Sequence, residues 1–389
     1  MLYLDNAAST QLHPDALKSM MPYLTDNYGN PSGIHAQSRF AKNAIESSRE
    51  GIAEILGADS GEIFFTSGGT EAANWAIFGT VQALEEGAHL ITSQIEHHGV
   101  LNAFVHLQKQ GYDVTFLKPD REGFIHPRTL QDAIKPNTRF ASIMLANNEV
   151  GTIEPIKELV EILKEHNICF HTDAVQAVGH IPVDVKELEV DLLSFSAHKF
   201  YGPKGVGGLY VKKGNKVLQQ IYGGGQEKNK RAGTENVAGI VGMYEALKIT
   251  VQKLGEEKAR LEKLRDKLIF EVLTSITHSH LNGAAGSKRL PGNVHISFDF
   301  IEGESLLLHL DLQGIYASTG SACSSGSLEP SHMLMAMGLS HAEANGAIRF
   351  SLGMGNTEED IQILMPVLVT AVEKLRHLSP LFDDFIKKA

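Results

Sequence analysis

Asp191-Leu192-Leu193-Ser194-Phe195-Ser196-Ala197-His198-Lys199-Phe200-Tyr201-Gly202-Pro203-Lys204-Gly205 runs from an apolar segment of strand length through Ser-x-His-Lys into a Gly/Pro turn. A short apolar run bounded by turn residues reads as a strand buried on both faces. Segments 62–66, 89–93, 113–117, 140–146, 168–172 and 206–211 share this character, and helical stretches separate them. Buried strands alternating with helices predict an α/β domain with a mainly parallel seven-stranded sheet flanked by helices. Ligands of such sheets bind beyond the carboxyl ends of the strands, so the residues that follow each strand are the first candidates for chemistry.

The chain has 389 residues, 42% hydrophobic content and a formal charge of -11, from 46 acidic against 35 basic residues. This is a globular composition with room for two domains. The negative balance argues against a nucleic-acid surface and favours small or basic partners. Met1-Leu2-Tyr3-Leu4-Asp5 has neither the basic segment nor the apolar core of a signal peptide, and no uncharged apolar run approaches spanning length. A cytoplasmic protein without membrane association is expected. The two cysteines cannot build a disulfide framework at this size, and a reducing compartment keeps them as thiols.

Composition changes near Gly255, where residues 256–276 form a charged, heptad-like helical stretch. Beyond it, 292–298 alternates like a half-buried strand, 305–312 is helical, 347–352 is a strand and 357–378 a last helix. The expected division is a large domain over residues 13–256 and a smaller α+β domain over residues 1–12 and 257–389. The smaller one carries Cys323, in Ala317-Ser318-Thr319-Gly320-Ser321-Ala322-Cys323-Ser324-Ser325-Gly326-Ser327. A Gly/Ser setting gives a nucleophilic sulfur access, although linkers share it. Cys169, on an apolar strand, reads as structural.

The strand ends carry the remaining candidates. Lys199 is suited to a Schiff base with an aldehyde cofactor once partly desolvated, or is a solvated turn lysine. Ser196 and His198 could donate to a phosphate. Asp173 follows the strand at 168–172 and either meets a cationic ring nitrogen or caps a helix; Gln176 could reach a phenolic oxygen. Ser67-Gly68-Gly69-Thr70 opens a helix and offers backbone N–H groups to an anion, without a Walker lysine or a dinucleotide spacing. His97, in Glu96-His97-His98, could stack on a planar group and exchange protons. Adjacent helical histidines diverge, so no metal site is expected. Asn148 offers an amide at the same edge. Arg349, on an apolar strand, needs an anion, either a substrate carboxylate or an internal carboxylate.

Together these segments resemble the fold-type I pyridoxal phosphate enzymes of class V, and among them the group I cysteine desulfurases of the NifS/IscS type. The resemblance extends from Tyr3-Leu4-Asp5-Asn6-Ala7-Ala8-Ser9-Thr10 and Tyr28-Gly29-Asn30-Pro31-Ser32 to Leu378-Ser379-Pro380-Leu381, and the Cys323 loop with Ser327-Leu328-Glu329-Pro330-Ser331 is similar to the group I form. It implies pyridoxal 5'-phosphate held covalently by Lys199, with Asp173 on the pyridine nitrogen, Gln176 on the phenolic oxygen and His97 over the ring. Phosphate contacts would come from Gly69, Thr70, Ser196 and His198, and from Thr234 across a homodimer interface. Asn148 and Arg349 would hold the substrate. The implied reaction converts L-cysteine to L-alanine with sulfur left on Cys323 as a persulfide, Lys199 and His97 handling protons. Acceptors would be proteins such as an iron-sulfur scaffold, or the machinery of tRNA thiolation. A class V aminotransferase or lyase with an incidental Cys323, and a chain used mainly as a sulfur-delivery scaffold, are the alternatives.

Overall fold

Across the main sheet the strands run Ile63–Thr66, Gly207–Val211, Leu192–Ser196, Cys169–Asp173, Thr138–Ser142, His89–Ser93 and Asp113–Leu117. The computed structural model describes residues 1–320 and 330–388, so Cys323 lies outside the described residues. The four pairings from Leu192–Ser196 to Asp113–Leu117 are parallel, and Gly207–Val211 is antiparallel to both neighbours. Two reversals restore direction, so Ile63–Thr66 points the same way as the parallel set. Thr66, Ser93, Asp173 and Ser196 therefore end on one edge of the sheet.

Six of the expected strands lie within one residue of their expected bounds. The segment expected at 140–146 is displaced: the strand is Thr138–Ser142. Beyond it the chain keeps only separate hydrogen bonds, Ile143 N to His171 O (3.2 Å) and Leu145 N to Asp173 O (2.9 Å). Apolarity persists through these residues because they are buried in the core, which hid the strand's end from a pattern reading.

Both faces of the sheet are covered: Ile63–Thr66, His89–Ser93, Leu192–Ser196 and Gly207–Val211 are buried along their whole length, and Thr138–Ser142 exposes only Arg139. The helix Ile156–Glu165 shows how: Ile156, Leu159, Val160 and Leu163 recur at helical spacing and are all buried. Phe195 is fully buried, and Gly208 on the neighbouring strand leaves room for its ring, since a Cβ there would collide with it. Truncating Phe195 to Ala would cost about 3–5 kcal/mol.

A second, antiparallel sheet orders Ala347–Ser351, Asn293–Phe298 and Ser279–Leu281, packed against helices Leu254–Ser275, Gly303–Asp311 and Glu358–His377. Its core includes Leu268, Phe298, Ile348 and Leu368, together with Leu2 and Leu4 from the start of the chain. Leu2–Tyr3 pairs in parallel with Ile315–Tyr316. In contrast, Met333, Leu334 and Met337 pack into the core under the large sheet. The chain thus crosses between the two cores on either side of residues 321–329. No helix among the described residues is long and apolar enough to cross a membrane.

Candidate active site

One cavity of about 370 Å³ opens at the edge where the parallel strands end, and Thr70, His97, Asn148, Asp173, Gln176, Ser196, His198, Lys199 and Arg349 share its wall with Gly69. Parallel strands deliver these residues there: each follows a carboxyl end, except Arg349, which enters from the smaller sheet.

Lys199 closes a 3₁₀ turn, Ala197–Lys199, directly after its strand. Its Nζ donates to the carbonyls of Ala7 (2.6 Å) and Ala8 (2.8 Å). Gln176 Nε2 donates to the same Ala7 oxygen at 3.0 Å. The N-terminal segment that supplies these carbonyls is itself fixed, through Ala7 N to Ser351 Oγ (2.9 Å) and Thr10 N to His198 O (2.9 Å).

Asp173 is 6% exposed and accepts a hydrogen bond from Val175 N at 2.9 Å, so it caps a turn rather than a helix. Burial pushes its carboxyl up to about 6, against the pull of the Val175 N–H and the Lys199 charge. A carboxylate so placed gains from any cation brought into the cavity.

His97 is the N-cap of the helix His98–Lys109, and its Nδ1 accepts from Gly99 N at 3.0 Å. Burial, then the nearby Lys199 charge, hold its basicity down to about 4. The ring is neutral at pH 7 with its proton on Nε2. His98 diverges from it, with ring centroids 6.4 Å apart, and no cluster of metal-ligating side chains occurs among the described residues.

The opposite end of the site is built for an anion. Gly68 adopts φ 156°, ψ -179°, a region open essentially to glycine, and turns the chain into the helix Gly69–Val81. A Cβ at Gly69 would lie 2.7 Å from Val175 Cγ2, so only glycine lets the backbone sit this close. Ser196, His198 and Lys204 line an adjoining recess together with Gly68, Gly69 and Thr70. Burial, then the Lys199 and Lys204 charges, lower His198 to about 4. The helix terminus, rather than His198, thus supplies positive potential here.

Arg349 is 2% exposed, meets an internal carboxylate and stays on the cavity wall. Its Nη2 donates to Asp5 Oδ1 (2.8 Å) and its Nη1 to Asn148 O (2.7 Å), while its buried Nε has no hydrogen-bond partner among the described residues. Thr234 is exposed and is not on the wall of this cavity. Cys169 is apart from it, and burial pushes its thiol far up, which makes it inert.

The class-V aminotransferase family matches residues 2–364. A cysteine desulfurase IscS of Clostridium botulinum is 50% identical over 388 residues, covering 99% of this chain and 98% of that protein. The chain belongs to the cysteine desulfurases of the class-V aminotransferase family. Another member, the cysteine desulfurase IscS of Dictyoglomus turgidum, is 55% identical over 380 residues, covering 97% of this chain and 96% of its own. Among solved structures, a NifS-like protein superposes with a TM-score of 0.89 at 38% identity, covering 96% of this chain and 99% of that one. SspA in complex with cysteine gives 0.80 at 38% identity over 90% of this chain and 99% of that one. Desulfurases of this family use pyridoxal 5'-phosphate, which is therefore the cofactor of this chain.

Several groups escaped the sequence reading. Asp5, the carbonyls of Ala7 and Ala8, and Glu96 gave no signal beyond lying in quoted motifs, and Glu149 was not singled out, since a carbonyl has no side-chain signature and a lone acid has many uses.

Proposed function

We propose that the chain takes sulfur from L-cysteine, leaving L-alanine and a persulfide on Cys323. The observation that carries this reading is the meeting of Lys199, Asp173 and His97 in one cavity whose wall also includes Gly320, three residues before Cys323.

The residues present fit pyridoxal 5'-phosphate. A buried acid raised to about 6 waits for a cationic ring nitrogen, a primary amine lies in the same cavity, and a glycine-lined helix start suits the phosphate. Lys199 Nζ would tether the cofactor, Asp173 and Gln176 would hold the ring, His97 would cover it, and Gly69, Thr70, Ser196 and His198 would hold the phosphate. When bound, the cofactor supplies an electron sink to the carbon that bears the substrate's amino group. Arg349 and Asn148 bind the cysteine carboxylate. Lys199 Nζ removes the Cα proton, and His97 Nε2 exchanges a proton with the sulfur atoms. The substrate C–S bond breaks, an S–S bond forms at Cys323, and the methyl group of alanine gains a hydrogen; thiol and cysteine become persulfide and alanine with no added oxidant.

The working unit is a cytoplasmic homodimer in which Thr234 of the partner subunit completes the phosphate site. Supporting this, Thr234 is exposed and apart from its own cavity, and Leu17, Met21 and Leu24 leave an apolar stripe on the helix Pro14–Thr25. Residues 13–256 form the cofactor domain, and residues 1–12 with 257–389 the domain that presents Cys323 to acceptors such as an iron-sulfur scaffold. Cys323→Ala should keep the cofactor absorbance and lose sulfide release. Release that persists would return the chain to the class V lyases or aminotransferases.

A further inference from the structure

Glu149 plays no part in the chemistry above, yet its side chain is one of the most enclosed acids in the protein, 4% exposed. Its backbone is fixed by Glu149 N to Asn147 Oδ1 (2.8 Å) and by Asn293 Nδ2 to Glu149 O (2.8 Å). The carboxylate Oε2 accepts a 2.6 Å hydrogen bond from Ser331 Oγ. The same oxygen lies against Gly320: a Cβ there would sit 3.2 Å from it and 3.1 Å from His295 Nε2, with φ at +89°. Gly320 is thus a close approach that only glycine makes. One carboxylate oxygen is therefore hydrogen-bonded to Ser331, at one described end of the segment 321–329, and lies beside Gly320 at the other.

The Gly320 end is also tied to Arg349 on the cavity wall, and the Ser331 end to the residues that flank His97. Ser318 exchanges backbone hydrogen bonds with Arg349, at 2.6 and 3.2 Å, and its Oγ accepts from Gly320 N at 3.1 Å. Ser331 caps the short helix His332–Ala336. His332 Nε2 meets Glu96 O at 3.3 Å, and its ring lies 4.7 Å from that of His98.

We propose that Glu149 is a positioning residue for sulfur transfer: its buried carboxyl group bonds Ser331 and packs beside Gly320, and so fixes one of the two ends between which Cys323 is carried against the other. The proposal rests on Cys323 as the sulfur acceptor. A short hydrogen bond to a buried carboxyl group whose own backbone is fixed holds an end in place, and a misplaced nucleophile loses rate without losing substrate binding.

The test uses the holoenzyme and the variants Ser331→Ala, Glu149→Gln, their combination and Ser331→Thr. Cysteine binding is read from the change in cofactor absorbance, and transfer from single-turnover alanine formation with the mass of the Cys323 peptide. Ser331→Ala and Glu149→Gln should each slow transfer by about tenfold with cysteine affinity within about twofold of the parent. The combination should be no slower than the slower single variant, and Ser331→Thr, which keeps the hydroxyl, should restore the rate. Parental transfer in both single variants, or losses that multiply in the combination, would overturn the proposal while leaving Cys323 as acceptor. Sulfide release by Cys323→Ala removes the acceptor itself, and is read separately.

Discussion

Arg349 pairs with Asp5 at 2.8 Å across 344 residues of sequence, joining the strand Ala347–Ser351 to the N-terminal segment whose next carbonyls hold Lys199. Arg349 and Lys199, both on the cavity wall, are thereby braced by one short stretch of chain, residues 5–8. The pairing also answers how a guanidinium is tolerated on a buried strand: one nitrogen meets a carboxylate and another a carbonyl.

Arg349→Lys tests the role of the fork. A single ammonium cannot serve Asp5, Asn148 O and a substrate carboxylate together. KM for cysteine should rise by about tenfold or more, with cofactor absorbance intact. An unchanged KM would leave Arg349 as a structural ion pair alone. Arg349→Ala strands Asp5 and should destabilise the protein by about 3 kcal/mol in denaturant unfolding.

Lys199→Ala tests the tether and proton-carrier roles proposed for it. Alanine formation should fall by about 1,000-fold or more, and the variant should lack the parent's cofactor absorbance band. A parental band would contradict the assignment.

Glu96 sets a pH dependence. It is fully buried, its Oε1 accepts from Ser93 Oγ (2.6 Å) and Met144 N (3.0 Å), and burial pushes it up to about 8. The folded state therefore holds a proton that the unfolded chain releases above the ordinary glutamate range, so stability declines as pH rises toward 8. Below about 6.5 the buried histidines oppose this: His97 and His198 near 4, and His171 and His295 near 3, are neutral when folded and charge on unfolding. Between pH 6.5 and 8 that opposition is gone. Glu154, raised well above its ordinary value by burial, adds to the decline. Tm should fall across this window, and less steeply in Glu96→Gln; an equal slope in the variant would show that Glu96 is already ionised.

Much of this was legible because most strands of the large sheet are buried runs, and Asp173, Ser196, His198 and Lys199 lie at or directly after the ends of two of them. Lys199 and Asp173 could be ranked from that placement alone. What stayed hidden was long-range: the Asp5 pairing, the use of the Ala7 carbonyl by Lys199 and Gln176, and the contact of Glu149 with Gly320 and Ser331 depend on tertiary approach, which no local spacing encodes. The strand at Thr138–Ser142 was misjudged because burial keeps residues apolar after the ladder has ended. For Arg349 the local sequence offered two anions, and the structure supplies one of them while keeping the residue on the cavity wall.

The central claim is that cysteine sulfur passes to Cys323 as alanine forms. Holoenzyme given a sub-stoichiometric amount of L-cysteine without reductant, then quenched and digested, should yield alanine and a Cys323 peptide heavier by one sulfur in equal amounts. Alanine formed in full with Cys323 unmodified would contradict the account.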